Sequence, residues 1–155
     1  MPEPTRPKLH LVTVVVGDMP ASVAFYRALG VDVPDGEPPW DAHHRSANDP
    51  DGVDIDLDSA SFAPKWNEGW PAGETGMIVG FQVDERSDVD DLYAQLVAAG
   101  GVGRQAPYDA FWGARYAVVE DPDGNSVGLM SPSDPAHRSA PPSCAPRGGC
   151  PWRAG

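Results

Sequence analysis

Apolar and polar positions along the chain fall into one sequence of patterns that occurs twice. "LHLVTVVVGD" contains a β-branched apolar run, Leu9 to Val16, of the kind that forms a buried strand. Asp18 follows as a helix N-cap with Pro20 in the first turn, and "ASVAFYRAL" sets Phe25 and Leu29 on one helix face before Gly30 stops it. The second half opens with a strand in "GMIVGFQVD", Met77 to Val83. Ser87 and Asp90 then have the spacing of a capping box. Val89, Leu92, Tyr93, Leu96 and Val97 follow the i, i+3, i+4, i+7, i+8 pattern of an amphipathic helix, which Gly100 closes.

Shorter strands follow each helix. "VDIDLDS" alternates Val53, Ile55 and Leu57 with Asp54, Asp56 and Asp58, the period of a half-buried strand. "ARYAVVED" and "NSVGLMS" are joined through the turn sequence "PDG". Strand–helix–strands, twice, with hairpin-length connections among the later strands, predicts an α+β fold of two modules. From Ser131 onward Pro, Ser, Ala, Arg and Gly replace the aliphatics, too little apolar surface to offset ordering entropy. The expected organisation is a loose N-terminus at 1–7, a folded domain at 8–132 and a disordered tail at 133–155. Within the domain, module one covers about 8–70 and module two about 76–132.

Charge changes the picture of partners. The 155-residue chain has 23 acidic and 11 basic residues, a net charge of −12. Nucleic acid and anionic membranes need clustered Lys and Arg, so both are excluded as expected partners, and a cationic small molecule is favoured. Nine acids lie from Asp32 to Asp58, opposed by Arg45 alone among Lys and Arg. That run reads either as a solvated face or as a steering surface. No apolar run approaches the length of a membrane span, and the expected location is the cytoplasm, where Cys144 and Cys150 would be free thiols.

Candidate chemistry centres on aromatic residues. Trp40, Trp66 and Trp70 lie in loop-like sequence, and "YDAFWGARY" gathers Tyr108, Phe111, Trp112, Arg115 and Tyr116. Such rings either cap a small core or wall a site for a planar, hydrophobic or cationic molecule. No phosphate-cradling glycine motif or nucleophile elbow is present.

Three stretches together resemble the glyoxalase/bleomycin-resistance/dioxygenase (vicinal oxygen chelate) superfamily: "VTVVVGDMPASVAFYRALG", "VGFQVDERSDVDDLYAQLVAAG" and "YAVVEDPDGNSVGLMSP". The resemblance implies paired βαβββ modules whose curled mixed sheets form a cleft, and a homodimer. Metal-dependent members carry His, Gln or Glu on equivalent strands of the two modules. By alignment those positions fall here on Leu11, near Ile78, and on Gly128, with His10 one residue off and facing away. None of the three offers a donor, so the expectation is a metal-free, non-enzymatic protein. It would bind an antibiotic-like molecule through Trp40, Trp66, Trp70, Phe111, Trp112, Arg115, Tyr116 and the space beside Gly128. The alternative is a lyase or dioxygenase holding one divalent metal (Fe, Mn, Ni or Zn) through His10, His43, His44 and Asp56.

Overall fold

The computed structural model describes residues 6–142. They contain seven strands and three α-helices, and divide into two compact units, one spanning Leu11–Met77 and the other built mainly from Ile78–Ser139. Cys144, Cys150 and Trp152 lie outside the described residues, as do most of the expected loose N-terminus and the end of the expected tail.

The first unit contains β1 (Lys8–Val16, entering from its N-terminal end), α1 (Met19–Leu29), a 3-10 turn at Trp40–Ala42, β2 (His44–Ala47), β3 (Asp54–Ser59) and α2 (Ala63–Trp66). Its strand order is β2-β3-β1, with β3 parallel to β1 and antiparallel to β2. The pleat sends alternate residues to opposite faces. Val14, Val16, Ile55, Leu57 and Ala47 therefore share one face, where they pack with Met19, Val23 and Tyr26 of α1 and with Val33. The Asp18 side chain accepts the Ala21 N–H at 3.0 Å to start α1, and Gly30 ends it at φ 108°, in the left-handed region.

The second unit contains β4 (Gly76–Gln82), α3 (Arg86–Ala98), β5 (Val102–Asp109), β6 (Arg115–Glu120) and β7 (Ser126–Met130). The order is β4-β7-β6-β5, with β4 parallel to β7 and β6 antiparallel to both of its neighbours. Ala117, Val127 and Leu129 pack with Val83 and with Val89, Leu92, Tyr93 and Leu96 of α3. Arg115 ties that helix to the sheet: its Nε and Nη2 donate to the Asp90 carboxylate at 2.9 and 2.7 Å. Asp109 accepts from both Arg86 and Arg115.

The two units share a stretch at a fixed offset of 72 residues. Residues 40–59 and 112–131 align without a gap, with Trp40 on Trp112, Asp49-Pro50-Asp51-Gly52 on Asp121-Pro122-Asp123-Gly124, Leu57 on Leu129 and Ser59 on Ser131. Their hydrogen bonds repeat too. The Asp51 N–H donates to the Asp49 side chain, as Asp123 does to Asp121. The Ser59 N–H donates to the His43 carbonyl, as Ser131 does to Arg115.

Several expectations need correction. α1 buries Met19 and Val23, whereas Phe25 and Leu29 are 64% and 68% exposed, because they lie on the side of the helix turned from the sheet. α3 starts two residues before the expected box: Asp88 accepts the Glu85 N–H at 2.9 Å, so Glu85 is the cap. Module two has the full βαβββ order, but residues 31–39 of module one form no strand, and Pro34, Pro38 and Pro39 there lack the N–H a ladder needs. Residues 133–139 form no helix or strand beyond a 3-10 turn at Pro135–His137, but they are hydrogen-bonded to the second unit. Asp134 N–H and Ser139 N–H donate to the Gly113 and Phe111 carbonyls, and Ser133 Oγ donates to the Trp112 carbonyl. Backbone pairing with the β5–β6 loop supplies there what apolar burial does not.

Leu57 and Leu129 occupy equivalent places, each nearly inaccessible to water. Leu57→Ala and Leu129→Ala should each cost about 2–5 kcal/mol in urea unfolding. Phe25→Ala on the open side of α1 should stay within about 0.5 kcal/mol of the parent.

Candidate functional site

The sheet faces turned away from α1 and α3 carry the chemistry, and the 72-residue repeat makes them directly comparable. In the first unit β3 presents Asp54, Asp56 and Asp58, with Ser46 and His44 of β2 paired to Asp56 and Asp58 and Thr13 of β1 paired to Asp56. At the equivalent places in the second unit stand Ser126, Gly128 and Met130, with Val118 and Tyr116 of β6 paired to Gly128 and Met130. One module has a polar, ionisable face; the other has exchanged it for an apolar, aromatic one.

On the polar face His44 Nδ1 lies 2.5 Å from Asp58 Oδ1, and Ser46 Oγ donates to Asp56 Oδ1 at 2.5 Å. A carboxylate only accepts, so this pairing places the proton of the neutral ring on Nδ1. Burial works against a charge on His44. The hydrogen bond to Asp58 and the charges of Asp58 and Asp56 outweigh it, leaving the His44 pKa raised above its ordinary 6.5. Burial likewise pushes the Asp56 carboxyl up, against the pull of His44 and Ser46. Trp40 packs edge-on against Phe62, with ring centres 4.7 Å apart, and tilted against His44 at 5.9 Å. An open groove of about 400 Å³ runs beside β2, lined by the 34–37 segment, Trp40, His44, Arg45 and Ser46.

On the aromatic face Tyr116 lies edge-on to Tyr108 and to Trp112, with ring centres 6.2 and 5.3 Å apart, and Trp112 meets Phe111 at 5.1 Å. The Trp112 indole N–H donates to Met130 Sδ at 3.4 Å. Gly128 lies under this cluster. A Cβ there would come within 2.9 Å of the Tyr116 hydroxyl oxygen and 3.3 Å of its ring. The glycine thus makes room for a side chain of its own module: Tyr116, 8% exposed, fills the place.

The expected binding residues are therefore divided. Phe111, Trp112 and Tyr116 come together, and Tyr108 joins them. Trp40 stands in the other unit with His43, His44 and Phe62. Trp66 is buried in α2, and Trp70 is half-buried, donating to the Glu74 carbonyl at 2.9 Å. Arg115 points to the helix side and is taken up by Asp90 and Asp109. The His44–Asp58 pair was not read from the sequence, although the alternation of "DIDLDS" and the offset of 72 both point to that face.

A divalent metal does not fit the residues present. Leu11, Ile78 and Gly128 offer no side-chain nitrogen or oxygen, and Asp56, the repeat equivalent of Gly128, is one carboxylate. His43 is hydrogen-bonded to Ser59 and His44 to Asp58, while strand alternation puts His10 on the face of Val12 and Val14. Among the described residues no group of three or more His, Cys, Asp or Glu side chains is arranged to hold a metal ion.

The family description "Glyoxalase/Bleomycin resistance protein/Dioxygenase superfamily" matches residues 8–129. The chain belongs to this superfamily. Three similar solved structures show the same fold. A protein from Legionella pneumophila, described as an NAD-dependent benzaldehyde dehydrogenase, is 20% identical with a TM-score of 0.58, over 78% of this chain and 96% of that one. A Mn(II)-bound glyoxalase from Novosphingobium aromaticivorans is 25% identical with a TM-score of 0.58, over 82% of this chain and 40% of that one. A superfamily member from Vibrio splendidus 12B01 is 19% identical with a TM-score of 0.54, over 82% of this chain and all of that one. No curated protein sequence matches the chain. Among the described residues no helix is long and apolar enough to cross a membrane.

Within this glyoxalase-superfamily chain, Gly128→Ala should destabilise by about 1–3 kcal/mol, and the loss should shrink in a Tyr116→Phe background that removes the nearest atom; a thermal double-mutant cycle reads the coupling. His44 has a raised folded pKa, so its pairing contributes stability that is fully present below about pH 6.5 and is lost as pH rises through the folded value. Melting temperatures of the parent and His44→Gln should therefore differ most at pH 6 and converge toward pH 9.

Proposed function

We propose that the chain binds a small planar or hydrophobic molecule, cationic ones preferentially, through its own side chains and without a metal. The observation that carries this reading is the aromatic cluster on the second unit's sheet face turned away from α3, where Tyr116 is buried and Tyr108, Phe111 and Trp112 are half-buried. Where metal-dependent members of the superfamily would place ligands, Ile78 and Gly128 bring no donor, and Tyr116 covers the glycine beside Trp112, Phe111 and Tyr108. Aromatic rings recognise planar bodies by stacking and cations by their negative faces. The net charge of −12 favours cationic over anionic ligands. Antibiotic sequestration, a homodimer and a cytoplasmic location belong to the same proposal. The similarity to a Mn(II)-bound glyoxalase supports the alternative, a metal-dependent lyase or dioxygenase.

Two measurements separate the readings. Protein purified without chelator and dialysed against Mn, Fe, Ni and Zn salts should retain well under one equivalent by elemental analysis; near-stoichiometric retention of one metal would favour the alternative. A panel of planar cationic dyes, ethidium and acridines among them, should quench tryptophan fluorescence saturably. Trp112→Ala should weaken the best binder by about tenfold, or about 1.4 kcal/mol.

A further inference from the structure

The first unit holds an arrangement that the binding reading does not use. His44 is the one ionisable side chain of the polar face with a ring nitrogen left over. Asp58 takes Nδ1 at 2.5 Å, and Nε2 has no hydrogen-bond partner among the described residues. The two side chains differ in access: 30% of His44 is exposed, against 8% of Asp58. His44 also lines the groove beside β2, whose wall on one side is Trp40. The pair is thus anchored at its carboxylate end and open at its imidazole end. A histidine so held has a fixed tautomer, a fixed ring plane and a lone pair directed away from its anchor.

We propose that His44 Nε2 is a proton acceptor for an O–H group in this groove, with Asp58 as the positioning residue that orients the ring and stabilises its protonated form. The O–H belongs to water or to a small hydroxyl compound. As the oxygen bonds to an electrophilic carbon, its proton passes to Nε2. Asp58 stays ionised and faces the imidazolium through Nδ1–H. The ring then returns its proton to solvent or to the leaving group, so no oxidant, metal or cofactor enters the balance. The neighbouring charges suit this role. Asp56 on β3 adds a second acid near the ring, and Glu37, Asp35 and Arg45 line the same groove. Burial alone would hold the imidazole neutral, yet the facing acids raise its affinity for a proton. This inference does not rest on the small-molecule binding proposed above, since it concerns the other unit and needs no dye or antibiotic.

p-Nitrophenyl acetate serves as the probe, because its hydrolysis by base-activated water releases acetate and p-nitrophenol and can be followed by absorbance. With the full chain, the parent should hydrolyse it about tenfold or more faster than His44→Gln, while His137→Gln, altered at an exposed histidine, should match the parent. Asp58→Asn should lower the plateau rate and move the pH profile toward lower pH, because the carboxylate that raises the ring's proton affinity is gone. A merely structural role for Asp58 would leave the pH midpoint where it was. A parallel measurement needs no variant: long-range nitrogen–proton NMR of the labelled parent should show the neutral His44 ring protonated at Nδ1 and bare at Nε2. Equal rates for the parent and a folded His44→Gln, or a neutral ring with its proton on Nε2, would overturn the proposal.

Discussion

The pleat of β3 decides more of this molecule than any other element. Ile55 and Leu57 pack under α1 while Asp54, Asp56 and Asp58 face the opposite way, and the strand is flanked on both sides. Carboxylates on such a strand are tolerated only if they are hydrogen-bonded, because an unpaired buried charge costs more than the packing opposite it returns. β2 meets that requirement through His44 and Ser46, one partner for each inner acid. The polar face is therefore a consequence of the same alternation that builds the core.

The second module shows what happens when that requirement is removed. With Gly128 and Met130 in place of Asp56 and Asp58, no hydrogen-bond partner is needed across the strand. Tyr116 and Val118 stand where His44 and Ser46 stand in the first. The space left by the missing side chain at 128 is closed by a phenol ring, and Trp112 and Tyr108 lean on that ring in turn. A single glycine and a single tyrosine are coupled by contact, so neither changes alone without cost.

The same duplication separates what each half can do. In the binding proposed for the aromatic face, planar and cationic bodies would be held by dispersion and quadrupole, with no proton changing hands. In the role proposed for the polar face, a histidine backed by a carboxylate would accept and return a proton. Trp40 and Trp112 are repeat equivalents, yet Trp40 is 7% exposed and packed on Phe62, while Trp112 is half-buried beside Phe111. Equivalent residues thus serve core packing in one unit and a partly open surface in the other, and their neighbours make the difference.

The sequence by itself determined the family and the elements β1, α1, β3, β4, α3, β6 and β7. The β-branched run in β1, the period of α3 and the "DPDG" turns are local signals, and each specifies its element through short-range geometry. It also showed that Leu11, Ile78 and Gly128 bring no side-chain nitrogen or oxygen, since that needs only the identity of the residue. Tertiary structure decided the rest. β2 is three polar residues and an alanine, and β5 an edge strand with register shifts, so neither carries a period that betrays it. The outward turn of Phe25 and the capture of Arg115 by Asp90 depend on which face of each helix meets the sheet. That His44 meets Asp58 follows from strand register, because residues fourteen positions apart become neighbours only when β2 folds back along β3.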